Sequence, residues 1–205
     1  MAYLPALVDM LAERDGRLRG SVDHVARALR DAGLIHTAKR GRGAAPMTAL
    51  DAAALIIGLY GVPDASPDSV ADASRLISMK RRGKVIRQGT PFGEFDPLPS
   101  TLRPITSSKT LVEAVAALIE LAPLIRSRPD KQPANNLFDV MLQLGRPRMR
   151  GLIKISWTGH DNNTQGVQIS FSETDSSHKE HLYAVEVTIN SMCFIALHQT
   201  LFLLE

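Results

Sequence analysis

Residues 21–59 read SVDHVARALRDAGLIHTAKRGRGAAPMTALDAAALIIGL. The order of chemistry here decides the front of the fold: an amphipathic helix, a short apolar step, a basic glycine loop and a second helix. Ser21 is a residue type that caps helix N-termini, and Val22, Val25 and Leu29 follow at helical spacing on one face. Gly33 stands where a helix can end in the left-handed conformation, which costs glycine little. Leu34 and Ile35 are apolar just beyond it. Lys39-Arg40-Gly41-Arg42-Gly43 sets three cations among two glycines, too polar and pliant for a core. Thr48-Ala49-Leu50-Asp51 is a variant of the capping box. It opens a helix that contains Ala52, Leu55, Ile56 and Leu59 and closes at Gly61.

Working outward, Leu4, Leu7, Val8 and Leu11 give a first amphipathic helix with Pro5 in its first turn. Arg14 to Gly20 is polar, ends in glycine and reads as a loop. Ser66-Pro67 opens a further helix with Val70, Ala73 and Ile77 on one side, and the cations from Arg75 to Arg82 suit its C-terminal dipole. From Gly83 to Ser107 the pattern breaks. Gly89, Pro91, Gly93, Pro97, Pro99 and Pro104 exclude a long helix, so residues 83–107 are expected to be a linker with one extended piece at Lys84-Val85-Ile86.

Beyond it, Ser107 or Ser108 is expected to cap a helix with Leu111, Val115, Leu118, Ile119 and Ala122, ended or kinked at Pro123. Asn135 or Asn136 is expected to open another, with Leu137, Phe138, Met141 and Leu142, closed by Gly145. The period then changes to two. Leu152, Ile153, Ile155 and Trp157 predict a strand, as do Val167, Ile169 and Phe171, and then Tyr183, Val185, Val187 and Ile189. Residues 159–163 form a turn cluster between the first two. Ser191 to Leu204 is almost wholly apolar, and its length favours helix over central strand.

The totals bound the rest. The chain has 205 residues, 44% of them hydrophobic, and 24 Lys plus Arg against 21 Asp plus Glu. Distribution is more informative than the net charge of +3. Arg14, Arg17, Arg19, Arg27, Arg30, Lys39, Arg40 and Arg42 face only Asp15, Asp23 and Asp31 within residues 14–42. Arg75, Lys80, Arg81, Arg82, Lys84 and Arg87 have no acid among them within residues 75–87, whereas 151–205 is acidic. A polyanion partner for the front half follows from that asymmetry. The single cysteine, Cys193, excludes a disulfide framework within the chain and fits a reducing compartment. No membrane-length apolar run and no secretion signal are evident, so a cytoplasmic location is expected.

Leu29-Arg30-Asp31-Ala32-Gly33-Leu34-Ile35, the basic loop, and Met47-Thr48 through Asp51 together resemble the winged helix-turn-helix of the MerR and excisionase type. A similar module occurs in lambda-type small terminases. The resemblance covers roughly residues 4–60 and implies a recognition helix followed by a basic wing that grips double-stranded DNA. The residues it marks for DNA are Arg19, Ser21, His24, Arg27, Arg30, Lys39, Arg40 and Arg42. Arginine on such a helix can hold guanine through two hydrogen bonds, and the wing cations can follow phosphates or enter a minor groove. The plainer alternative is that Asp23 and Arg27 pair on a solvated helix and the wing is a mobile basic loop. Lys80-Arg81-Arg82 has the same two readings, dipole complement or DNA contact.

Enzyme signatures are poor: Cys193 sits in an apolar run, and His178 and His181 lack an obvious third ligand. No cofactor or metal is expected. The expected fold class is α+β, with an all-α winged helix-turn-helix domain at 1–82, a linker at 83–107 and an α+β domain with an antiparallel sheet at 108–205 for oligomerisation or partner binding. The expected function is that of a non-enzymatic double-stranded-DNA-binding protein, a transcriptional regulator of a phage or mobile element acting as a homo-oligomer. A phage small terminase subunit and a phage-encoded inhibitor working by protein contact are the alternatives.

Overall fold

The computed structural model describes residues 3–36, 46–62, 64–89, 97–124, 138–146, 149–158, 164–173 and 185–203. The front of the chain forms α1 (Leu4–Asp15), α2 (Arg19–Asp31), α3 (Ala49–Gly61) and α4 (Pro67–Ser78). Strand β1 (Lys80–Gly89) follows, then α5 (Arg103–Ser107) and α6 (Leu111–Leu121), the first preceded and the second followed by a 3₁₀ turn. Three strands come next, β2 (Asp139–Arg146), β3 (Arg150–Thr158) and β4 (Thr164–Ser172). The chain then forms β5 (Val185–Asn190) and α7 (Ser191–Phe202). The fold is α+β: helices first, then a five-stranded antiparallel sheet in the order β1-β4-β3-β2-β5 with helices against it.

Helix α3 is the hub. Its sequence ALDAAALIIGLYG is apolar almost all round, and such a helix is stable only when buried. It packs against α2, α4, α6 and β2. Gly58 lets α2 come close, since a Cβ there would lie 2.4 Å from Leu29 Cδ1. One continuous hydrophobic core results, running from Leu7 and Leu11 on α1 to Phe194 and Leu197 on α7.

One sheet face belongs to this core. Val140, Leu142 and Leu144 on β2, Ile153, Ile155 and Trp157 on β3, and Val167, Ile169 and Phe171 on β4 are buried at every second position. The opposite face carries Met141, Gln143, Leu152, Lys154, Ser156, Gln168, Ser170 and Ser172, none of them fully buried.

Several boundaries differ from those expected. Helix α2 begins at Arg19, with Leu18 as an N-cap that makes no side-chain bond, so Ser21 lies inside the helix and caps nothing. The loop expected from Arg14 to Gly20 shrinks to Gly16–Leu18, with Gly16 at φ 67° ending α1. Helix α6 is capped by Thr110, not by Ser107 or Ser108. The Thr110 hydroxyl accepts from the Glu113 backbone, and the Glu113 carboxylate accepts from the backbone N–H of Thr110 and Lys109.

The stretch 83–107 is more than connector: most of β1, a 3₁₀ turn and α5 lie in it. Lys80-Arg81-Arg82 belongs to β1 rather than to the end of α4. The helix expected from Asn135 or Asn136 to Gly145 is instead strand β2, because Val140, Leu142 and Leu144 alternate with the more exposed Met141 and Gln143. The final apolar run is helix, and its N-cap, Asn190, accepts from the Met192 backbone.

Candidate nucleic-acid interface

Helix α2 is amphipathic. Val22, Val25, Ala26 and Leu29 are buried, while Arg19, Ser21, His24 and Arg27 are exposed and Arg30 is half-exposed. Between α1 and α2 stand only three residues, within the usual turn of a helix-turn-helix. Gly33, at φ 73°, ends the element as expected, with the Leu34 N–H donating to the Leu29 carbonyl at 2.9 Å.

The arginines on α2 have acidic neighbours. Arg19 is paired with Asp9 of α1. Arg27 Nη2 meets Asp23 Oδ2 at 2.6 Å, the i, i+4 pair, and Arg30 Nη2 meets Asp31 Oδ1 at 3.2 Å. Such pairs on a solvated helix are worth about 0–1 kcal/mol, and the Arg27 side chain is 63% exposed. A phosphate or a guanine edge can therefore replace Asp23 at little cost. His24 is exposed on the same side of the helix as Arg27. Arg17, not singled out from the sequence, pairs with Asp15, donates to the Leu59 carbonyl at 3.3 Å and lies 5.3 Å over the Tyr60 ring.

Lys39, Arg40 and Arg42, the expected wing cations, lie outside the described residues. What is described is how the chain enters and leaves that segment. The Asp51 carboxylate accepts from the His36 backbone N–H at 3.0 Å, meets His36 Nδ1 at 2.6 Å, and accepts from the Thr48 backbone N–H at 2.9 Å and its hydroxyl at 2.5 Å. One buried acid thus ties residue 36, before the basic loop, to residue 48, after it. Burial would raise the Asp51 pKa, but the hydrogen bonds from Thr48 and His36 outweigh it and hold the carboxyl below its ordinary value. The sequence pointed to Asp51 only as a capping acid. Its bond to His36 joins residues fifteen apart, and no local pattern announces that contact.

A second cationic region lies on β1. Lys80, Arg82 and Lys84 are exposed, and Arg81, half-buried, donates to the Thr106 carbonyl. Gly83, at φ 67°, sits where the register with β4 slips between Arg82 and Ile86, a bulge in which Lys84 is exposed. Arg82 Nε donates to Ser172 Oγ at 3.1 Å and its Nη2 to the Glu173 carbonyl at 2.6 Å. Both acceptors are neutral, and among the described residues no carboxylate lies within ion-pair reach of this guanidinium. The Glu173 carboxylate is occupied by Arg75 of α4, at 2.7 and 2.8 Å.

Among the described residues, no group of three or more His, Cys, Asp or Glu is placed to hold a metal, and no helix is long and apolar enough to cross a membrane. His178 and His181 lie outside the described residues. Burial pushes the Cys193 thiol up to about 12, so it is protonated near neutral pH. No family model, curated protein or solved structure matches the chain.

Proposed function

We propose that the protein binds double-stranded DNA through α2 and the basic segment that follows it, and acts as a transcriptional regulator of a phage or mobile element. The observation that carries this reading is the pairing of α1 and α2 across a three-residue turn, with the apolar face of α2 buried and Ser21, His24 and Arg27 facing out. A rigid helix presented in this way can enter a major groove. The Asp51 clamp supports the same reading, because it holds both ends of the basic loop beside α3.

A single small module of this kind has limited affinity, so a homo-oligomer is part of the proposal. Met192, Phe202 and Leu203 are exposed at 55, 49 and 66% and share one side of α7 with Ile195, which supports a second copy docking there. Sedimentation should give a mass above that of one chain, and Phe202→Glu should lower it.

The direct test is fluorescence anisotropy with a random-sequence duplex at low salt. Binding should be measurable and should fall steeply as salt rises, because phosphate contacts release counterions. No binding at low salt would contradict the proposal and favour an inhibitor that works by protein contact.

A further inference from the structure

We propose that the open face of the sheet, at β1 and the cleft beside it, is a second binding surface for the phosphate backbone of double-stranded DNA. It stands apart from the α2 reading, and the experiment below separates the two. Lys80, Arg82 and Gln88 lie opposite Ser172, Ser170 and Gly166 of β4, and directly opposed residues share a sheet face. Lys80 and Arg82 therefore border the open face, whereas Arg81 and Arg87, opposite Phe171 and Val167, lie on the core side. Among the described residues, no carboxylate lies within ion-pair reach of Lys80, Arg82 or Lys84. Glu173, adjacent in sequence to Ser172, is already engaged by Arg75.

Next to β1 is a cleft of about 430 Å³ bordered by Gln143, Arg150, Leu152, Gln168, Ser170 and Ser172. Arg150 lies across Gly145, where a Cβ would stand 2.8 Å from its Cγ and Nε, so the missing side chain makes room for it. Gln88 donates to the Gln168 amide oxygen at 2.9 Å and ties the cleft to β1. Amide and hydroxyl donors beside cations that have no carboxylate within reach among the described residues suit phosphate oxygens. Phe171 also lines the cleft but is 1% exposed and packs in the core, so the described part of this face offers no stacking platform of the kind single-strand binders use. Cations and a bulge on an edge strand also keep sheets from pairing edge to edge. That role needs charge only at the edge, whereas these donors continue inward across β4 and β3.

The test compares Lys80→Ala/Lys84→Ala with Arg27→Ala/Arg30→Ala on a short random-sequence duplex and on one of its single strands, by salt-titrated anisotropy. The β1 variant should bind the duplex about tenfold more weakly at low salt and lose up to about two from the log–log salt slope. Loss on the random duplex in the β1 variant with an unaffected α2 variant supports this inference, and the α2 proposal then stands or falls on a selected duplex. Loss in the α2 variant with an unaffected β1 variant overturns the inference. A β1 effect confined to the single strand overturns the assignment to duplex. Thermal melting checks that each variant is folded; if the double variant is not, Lys84→Glu at the exposed bulge repeats the reading, and an unchanged affinity and slope there also overturns the inference.

Discussion

Helix α2 and strand β1 are both basic in sequence, yet their charges are arranged in opposite ways. On α2, Arg19, Arg27 and Arg30 each have a carboxylate beside them. On β1, Lys80 and Lys84 are exposed without one among the described residues, and Arg82 is held by a hydroxyl and a carbonyl. Paired arginines on a rigid helix contribute little net field but can exchange one hydrogen-bonding partner for another, which is the chemistry of reading a base edge. Unpaired cations on an exposed strand attract any polyanion and select none. A count of Lys and Arg along the sequence does not distinguish these two cases; their neighbours do.

The largest expected effect removes α2 from the comparison. Leu29 is 1% exposed and packs at Gly58, so Leu29→Ala should cost about 2–5 kcal/mol in chemical denaturation. Site preference should vanish in the fraction still folded, while the salt-dependent binding carried by β1 should persist. If both disappear together in a folded variant, the two surfaces are not separate.

A smaller effect comes from the clamp. Asp51→Asn should cost about 1–3 kcal/mol, the range for disturbing buried, charge-assisted hydrogen bonds. Because the Asp51 pKa is depressed on folding, its contribution is fully present above the unfolded value of 3.8 and is lost as pH falls through the lower, folded value. Stability measured against pH should therefore fall on the acid side more steeply for the parent than for Asp51→Asn. Parallel acid limbs would show that Asp51 does not anchor the loop ends.

The smallest effect concerns the pairing itself. Asp23→Asn removes the partner of Arg27, and the pair is worth about 0–1 kcal/mol, so duplex affinity should rise by no more than a few-fold. A loss of affinity would mean that Asp23 orients Arg27 for binding rather than competing with the ligand.

Much of the fold was legible because its periods are clean. Strands β3 and β4 alternate, α1 repeats at helical spacing, and the Thr48–Asp51 box marks the start of α3. β2 was misread because Leu137, Phe138, Met141 and Leu142 mimic helical spacing, while the alternation of Val140, Leu142 and Leu144 decides the structure. β1 was only partly seen, as Lys84-Val85-Ile86. An edge strand exposed on most of its length has no apolar alternation to display, and its glycine resembles a loop signal although it forms a bulge. Helix α2 starts two residues before the residue that looked like its cap, because Leu18 begins it without any side-chain bond. Of the expected contact residues, Arg19, Ser21, His24, Arg27 and Arg30 do lie together on α2, but their carboxylate partners were foreseen only for Arg27.

The central claim is that α2 reads DNA, and Arg27 is the residue on which to test it. A preferred duplex selected from a random pool and a random duplex are titrated with salt against the parent protein, Arg27→Ala and Arg30→Ala. The account predicts that at least one variant loses about 1–3 kcal/mol on the preferred duplex, relaxes preference at one base position, and changes little on random DNA. If both variants bind the preferred and random duplexes as the parent does, with the same salt slopes, α2 does not read DNA and the account fails.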